Sequence, residues 1–183
     1  MLHAFPCGTL ALDFVGTLRA RRNETPREML DAPESLDTWF EESGLLDKPP
    51  GCGSSDLASA VLLREAIYAL VTAKLTDQTP PSPAMAVVNK AATTPPPTPS
   101  LTVSGRRWEA TPAQALSAIA RQAIDILGGP EAALLKECGR PECTQVYLDH
   151  SRGFRREWCA MTTCGNRMKA AAYRSRKRDH TAG

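Results

Sequence analysis

Four cysteines fall within a 27-residue stretch near the end of this 183-residue chain: Cys138, Cys143, Cys159 and Cys164. Their spacing is C-x4-C-x15-C-x4-C. Zinc takes four tetrahedral ligands, and thiolates about 2.3 Å from the metal must be presented in pairs by tight turns. Gly139-Arg140-Pro141-Glu142, between the first pair, suits such a turn, because Gly relaxes the backbone and Pro fixes φ. Four thiolates fill the coordination sphere and leave no position for water or substrate. The pattern therefore predicts one structural Zn2+ and no zinc catalysis. The segment is also short and poor in aliphatic residues, so metal binding must supply folding free energy that a core cannot.

Two disulfides, reactive thiols or an iron–sulfur cluster would draw on the same four residues. Met1-Leu2-His3-Ala4-Phe5-Pro6-Cys7 has no basic run, sustained apolar stretch or small-residue cleavage site. It predicts a cytoplasmic chain, and a reducing compartment favours metal over disulfides. Cys7 and Cys52 stand alone and read as unliganded thiols.

Charge is divided along the same line. Residues 1–137 hold 12 Lys and Arg against 16 Asp and Glu, whereas residues 138–183 hold 10 against 4. A short cationic segment on an acidic body is the footprint of a polyanion-binding module. After Cys164 the chain runs Gly-Asn-Arg-Met-Lys-Ala-Ala-Ala-Tyr-Arg-Ser-Arg-Lys-Arg to Arg178, a helix-favouring composition with Asn166 as candidate cap. On that helix Arg167, Arg174 and Arg178 align in one stripe, with Lys169 and Arg176 roughly opposite. Met168 and Ala172 lie between them, as the face expected to pack on the zinc module. Asn166 and Lys177 complete the helix's candidate nucleic-acid contacts. The loop between the cysteine pairs adds Arg152, Arg155 and Arg156, with Phe154 for a sugar or base. Arginine suits this task because its planar fork grips phosphate, or the guanine O6/N7 edge, in a bidentate way.

Cys164-Gly165-Asn166-Arg167 carries a family resemblance. With Cys138/Cys143, Tyr147-Leu148-Asp149-His150-Ser151 and Arg155-Arg156-Glu157-Trp158-Cys159, it resembles the CGNR zinc finger. The front of the chain resembles that finger's usual partner, the ABATE domain. This second likeness rests on Leu10-Ala-Leu-Asp-Phe-Val15, Leu36 with Trp39, Leu63-Arg64-Glu65-Ala66-Ile67 and the Ala-rich helix 113–127. The resemblance implies a bacterial, stress-related transcription regulator whose finger binds DNA and whose helical domain senses a ligand. Gly16 departs from the Asn often found there, Glu157 from a commonly basic residue, and Ala160 from a frequent Ser. None is a zinc ligand.

The elements that must position these residues follow from periodicity and punctuation. Residues 8–20 read as a short buried helix loosened at Gly16. Ser35 is the expected cap of a helix ending at Gly44, and Asp56 that of a long helix to Leu75. In the long helix Leu63, Ala66, Ile67 and Leu70 form a core face. Prolines crowd residues 79–100 and mark an interrupting linker, within which Ala84–Ala92 has room for two helical turns. Leu101–Val103 and Arg106–Ala110 read as a β-hairpin about Ser104-Gly105. Thr111-Pro112 opens a last helix before Gly128-Gly129, with Leu116, Ile119, Ala120, Ala123 and Leu127 as its core face.

The expected fold is mainly α with a small β-hairpin, plus a C-terminal treble-clef-like zinc finger ending in a basic helix. Residues 1–130 are the expected sensor domain and 131–183 the finger. No apolar run is long enough to span a membrane. His3, His150 and His180 are the only histidines, and no carboxylate pair is singled out, so an enzyme is not expected. Asp13 and Arg64 are the candidate ligand-binding pair, should they meet in a pocket. The expected partner is DNA, with a homodimer extending the site, and the expected role is zinc-dependent transcription regulation. The alternative is a zinc-stapled module that docks an acidic protein.

Overall fold

The computed structural model describes residues 3–181, excluding the side chains of Ser175 and of residues 178–181. Close to half of the chain is helical, and all the strands it describes form short antiparallel pairs. None of the described helices is long and apolar enough to cross a membrane.

Helix α1 (Leu10–Val15) is capped by Thr9, whose hydroxyl accepts from the Leu12 amide, and ends at Gly16. Two-residue strands β1 (Leu18–Arg19) and β2 (Arg27–Glu28) follow. Helix α2 spans Pro33–Glu42 and α3 spans Ser54–Leu75. Both begin two residues before the expected caps. Ser35 and Asp56 sit at the third helical position and reach back, accepting from the amides of Ala32 (3.2 Å) and Gly53 (2.9 Å). The same polar side chains thus cap the helix starts from inside, each accepting from an amide three residues earlier rather than from one further on.

The proline-rich stretch is not a linker. It contains α4 (Ser82–Ala92), which packs between α3 and α5 (Pro112–Gly128) and buries Ala84 and Val88. The prolines stand where a helix tolerates them: Pro81 precedes the first turn, and Pro83 lies within it, where no amide partner is needed. The hairpin is present as β3 (Thr98–Thr102) and β4 (Gly105–Glu109), starting three residues earlier than expected. Helix α5 opens with Thr111 and Gln114 in a reciprocal capping box. It buries Leu116, Ile119, Ala120 and Ala123 as expected, but Ile126 takes the place given to Leu127.

The core is centred on Trp39, Phe14, Phe40, Leu36 and Ile67, all fully buried. It continues without a break into β5 (Leu135–Glu137), β6 (Val146–Leu148) and the four clustered cysteines. Polar contacts tie the two parts as well: Arg22 pairs with Glu137 at 2.6 Å, and the Gln145 amide donates to the Gly16 carbonyl at 2.9 Å. The finger is thus seated on α1 and α3 rather than tethered to them.

Candidate metal centre and nucleic-acid interface

Strands β5 and β6 pair in register, Leu135 opposite Leu148 and Glu137 opposite Val146. They end in the turn that carries the first two cysteines. The Cys138 amide donates to the Gln145 carbonyl at 2.9 Å and the Cys143 amide to the Arg140 carbonyl at 2.8 Å, which closes the Gly139–Glu142 turn. Cys159 follows Trp158, whose ring packs over Gly139 and Gly165. A side chain at Gly165 would strike Met161 and Trp158, its Cβ only 2.6 Å from the Met161 sulfur. Cys164 lies in a π-helical turn (Met161–Gly165) that runs directly into α6 (Asn166–Thr181). Asn166 is therefore the first residue of α6 and not its cap, because helical geometry begins five residues earlier.

All four sulfurs lie within 4.8 Å of one another and all four cysteines are buried. A zinc tetrathiolate with 2.3 Å bonds has sulfur–sulfur edges of about 3.8 Å. The Cys143–Cys159 and Cys159–Cys164 separations of 3.9 and 3.6 Å match those edges. A hydrogen bond from the Cys159 thiol lowers the Cys143 pKa, although burial opposes it, and the Gln145 amide adds to the lowering. The donor set is all sulfur, closed and shielded from water. It fits one structural zinc.

Cys7 is buried beside this centre without joining it. Its S–H donates to the Gln145 side-chain oxygen at 3.1 Å, and burial together with Asp13 raises its pKa well above the usual thiol range. Cys52 lies half-buried against Asp37 and apart from the cluster.

The loop after β6 is fixed by a fully buried carboxylate. Asp149 accepts from the Ser151 amide (2.9 Å) and hydroxyl (2.6 Å), the Arg156 amide (3.2 Å) and the Lys136 ammonium (2.6 Å). Burial pushes this carboxyl up, but Lys136 and Ser151 outweigh it and hold it well below the ordinary carboxylate range. With Gly153 and Phe154 both at positive φ, the loop turns Arg152, Phe154 and Arg155 out to solvent.

Arg156 does not join them. Its guanidinium donates to the carbonyls of Trp158 (2.9 Å), Pro6 (3.2 Å) and Cys159 and covers the Tyr147 ring, 4.2 Å from its centroid. Its donors are consumed inside the protein, and it leaves the set of nucleic-acid contacts. Asn166, Arg167, Lys169, Arg174, Arg176 and Lys177 are exposed on α6; the Arg178 side chain lies outside the described residues. The expected packing face ends early, since Met168 is half-buried but Ala172 is exposed.

The proposed Asp13–Arg64 pair is not formed. Asp13 accepts from the amides of Cys7 (2.8 Å) and Gly8 (3.1 Å), pinning the segment ahead of α1. Arg64, fully buried, forks onto Glu28 at 2.5 and 2.7 Å and also reaches Glu65 and Thr17. Both are buried and partnered by other groups.

The family model ABATE, described as "Putative stress-induced transcription regulator", matches residues 8–130. This chain belongs to the ABATE family. The model of the CGNR zinc finger matches residues 135–177, which include all four cysteines. No curated protein matches the chain. In this ABATE protein the matched families are of regulator and zinc-finger type, and zinc binding belongs to the second.

One group near the centre was not legible from the sequence. Arg19 and Arg27 of the ABATE region and Arg140 and Arg167 of the finger line a single cleft against Cys143. They come from four separated places in the chain, and no spacing links them. Arg167 is marked by the Cys-Gly-Asn-Arg motif and Arg140 lies inside the first C-x4-C turn, but nothing in the sequence brings them to Arg19 and Arg27.

Proposed function

We propose that this protein is a zinc-dependent DNA-binding transcription regulator, with residues 131–183 as the DNA-contacting finger and residues 1–130 as the regulatory part. The observation that carries this reading is the exposure of α6 beyond Met168, where Arg174, Arg176 and every other side chain described lie open to solvent. The helix issues from the turn that holds Cys164, so the metal fixes its direction. Arg152 and Arg155 add charge from a loop braced by Asp149. Such an array neutralises phosphates, and its helical part has the width to enter a major groove. A single short helix reads few base pairs, and a homodimer would supply a second half-site.

The test is substitution of Arg174 and Arg176 by Ala in the zinc-loaded protein, followed by fluorescence anisotropy on duplex DNA. Affinity should fall roughly tenfold at low salt, with a shallower salt slope, while zinc content stays unchanged. Unaltered affinity would remove α6 from the interface. Capture of an acidic protein with no duplex binding would favour a protein-docking role instead.

A further inference from the structure

Three arginines near the seam between the ABATE region and the finger are matched to carboxylates. Arg21 pairs with Glu65 at 2.6 Å, Arg22 with Glu137 at 2.6 Å and Arg64 with Glu28 at 2.5 Å. The cleft between the β1–β2 ribbon and the zinc module breaks that pattern. It has a volume of about 280 Å³, and Arg19, Arg27, Arg140 and Arg167 line it with Glu142 as the sole carboxylate among its lining residues. Among the described residues, none of these four guanidiniums forms a salt bridge.

Two features show that this arrangement is costly without a counter-ion. Arg19 and Arg27 stand directly opposite each other in the β1–β2 register, and like charges opposed across a strand pair repel. The Arg140 Nε is buried and has no hydrogen-bond partner; buried donors are ordinarily satisfied, and one that is not calls for an explanation. The residual negative charge of a zinc tetrathiolate would draw the guanidiniums toward Cys143, Cys159 and Cys164. Those sulfurs are buried and accept hydrogen bonds weakly, so the planar forks would still lack oxygen acceptors.

We infer that this cleft is a binding site for a phosphate-bearing small molecule, held by Arg19, Arg27, Arg140 and Arg167 between the ABATE region and the finger. A phosphate monoester offers three oxygens and close to two negative charges at neutral pH. Guanidinium forks grip that geometry in a bidentate way. The volume is near the lower limit for small-molecule sites, which fits a phosphate with a small body. The site goes beyond the DNA-contacting role of α6 and shares with it only Arg167, in the first turn of that helix.

The experiment is isothermal titration of the zinc-loaded full chain with inorganic phosphate and with glycerol 3-phosphate, ionic strength being held constant with chloride. Saturable binding is expected, weakened at least tenfold by Arg27→Gln and by Arg140→Gln and unchanged by Arg174→Gln with Arg176→Gln. Arg27 is exposed and unpaired, so its substitution leaves the fold in place, and zinc content verifies this for each variant. Absence of saturable binding, or equal affinity in all variants, overturns the inference. It is also overturned if the two cleft variants lose duplex affinity while the parent binds neither phosphate probe, because the arginines then serve the DNA backbone. A protein that binds no duplex leaves the phosphate titration interpretable, so the two readings fail separately.

Discussion

Gln145 occupies the space in which a side chain at Gly16 would begin. A Cβ at Gly16 would lie 2.1 Å from the Gln145 Oε1 and 2.9 Å from its Cδ. The same amide donates to the Gly16 carbonyl at 2.9 Å and accepts from the Cys7 thiol at 3.1 Å. A side chain here is opposed by this close approach, which would displace the hydrogen-bonded Gln145 amide, and not by conformation, since φ is −68°. One side chain thus joins the end of α1 to the strand that follows Cys143.

Gly16→Ala should destabilise the protein by about 1–3 kcal/mol, the usual cost of overpacking a core. Adding Gln145→Ala to that variant should recover part of the loss, because the two changes share one space. Denaturant titration of the two single variants and the double variant would measure this. Strictly additive losses would show that the contact does not limit position 16.

Arg156 should behave as a structural residue. Arg156→Ala strands several buried carbonyls, at about 1–3 kcal/mol for each group left unsatisfied. Arg156→Lys should restore little, since a point charge cannot replace a fork that serves Trp158, Pro6 and Cys159 together. Thermal melting would detect the loss. A variant that melts normally and binds DNA less tightly would return Arg156 to the interface.

Acid should weaken the α3 anchor. Burial pushes Glu28 and Glu65 up, but hydrogen bonds from Arg64 and Arg21 outweigh it and hold both below the ordinary value of 4.5. Because the folded pKa values are depressed, this stabilisation is complete above pH 4.5. It is lost as pH falls through the folded values. Arg64→Met should cost about 1–3 kcal/mol at neutral pH and flatten the stability profile below pH 4.5. An unchanged acid slope in that variant would contradict the pairing.

Zinc content should be one equivalent in the parent protein and should fall to none on Cys138→Ser or Cys164→Ser. Cys7→Ser and Cys52→Ser should retain full zinc, because Cys7 bonds to Gln145 and Cys52 lies apart. Metal analysis after gel filtration distinguishes these variants. Loss of zinc from Cys7→Ser alone would redraw the ligand set.

The zinc site was legible because its constraint is local: four ligands on two turns leave a spacing in the chain. Capped helices and the hairpin were legible for the same reason, through Thr111-Pro112 and Ser104-Gly105. Helix α4 was legible only as two turns over Ala84–Ala92 within an apparent linker, because proline reads as a breaker unless its position in the first turn is known. Strands β1 and β2 were missed because two residues show no alternation. Arg64 with Glu28, and Gln145 with Gly16, are contacts across 36 and 129 residues. Only packing creates such pairs, and one sequence carries no mark of them.

The central claim is that a metal-organised surface binds DNA. Fluorescence anisotropy of the zinc-loaded protein on random-sequence duplex, across a salt series and again after chelation, tests it most directly. Binding should weaken steeply and linearly in log salt and should vanish when zinc is removed. No binding at low salt, or binding indifferent to chelation, would contradict it.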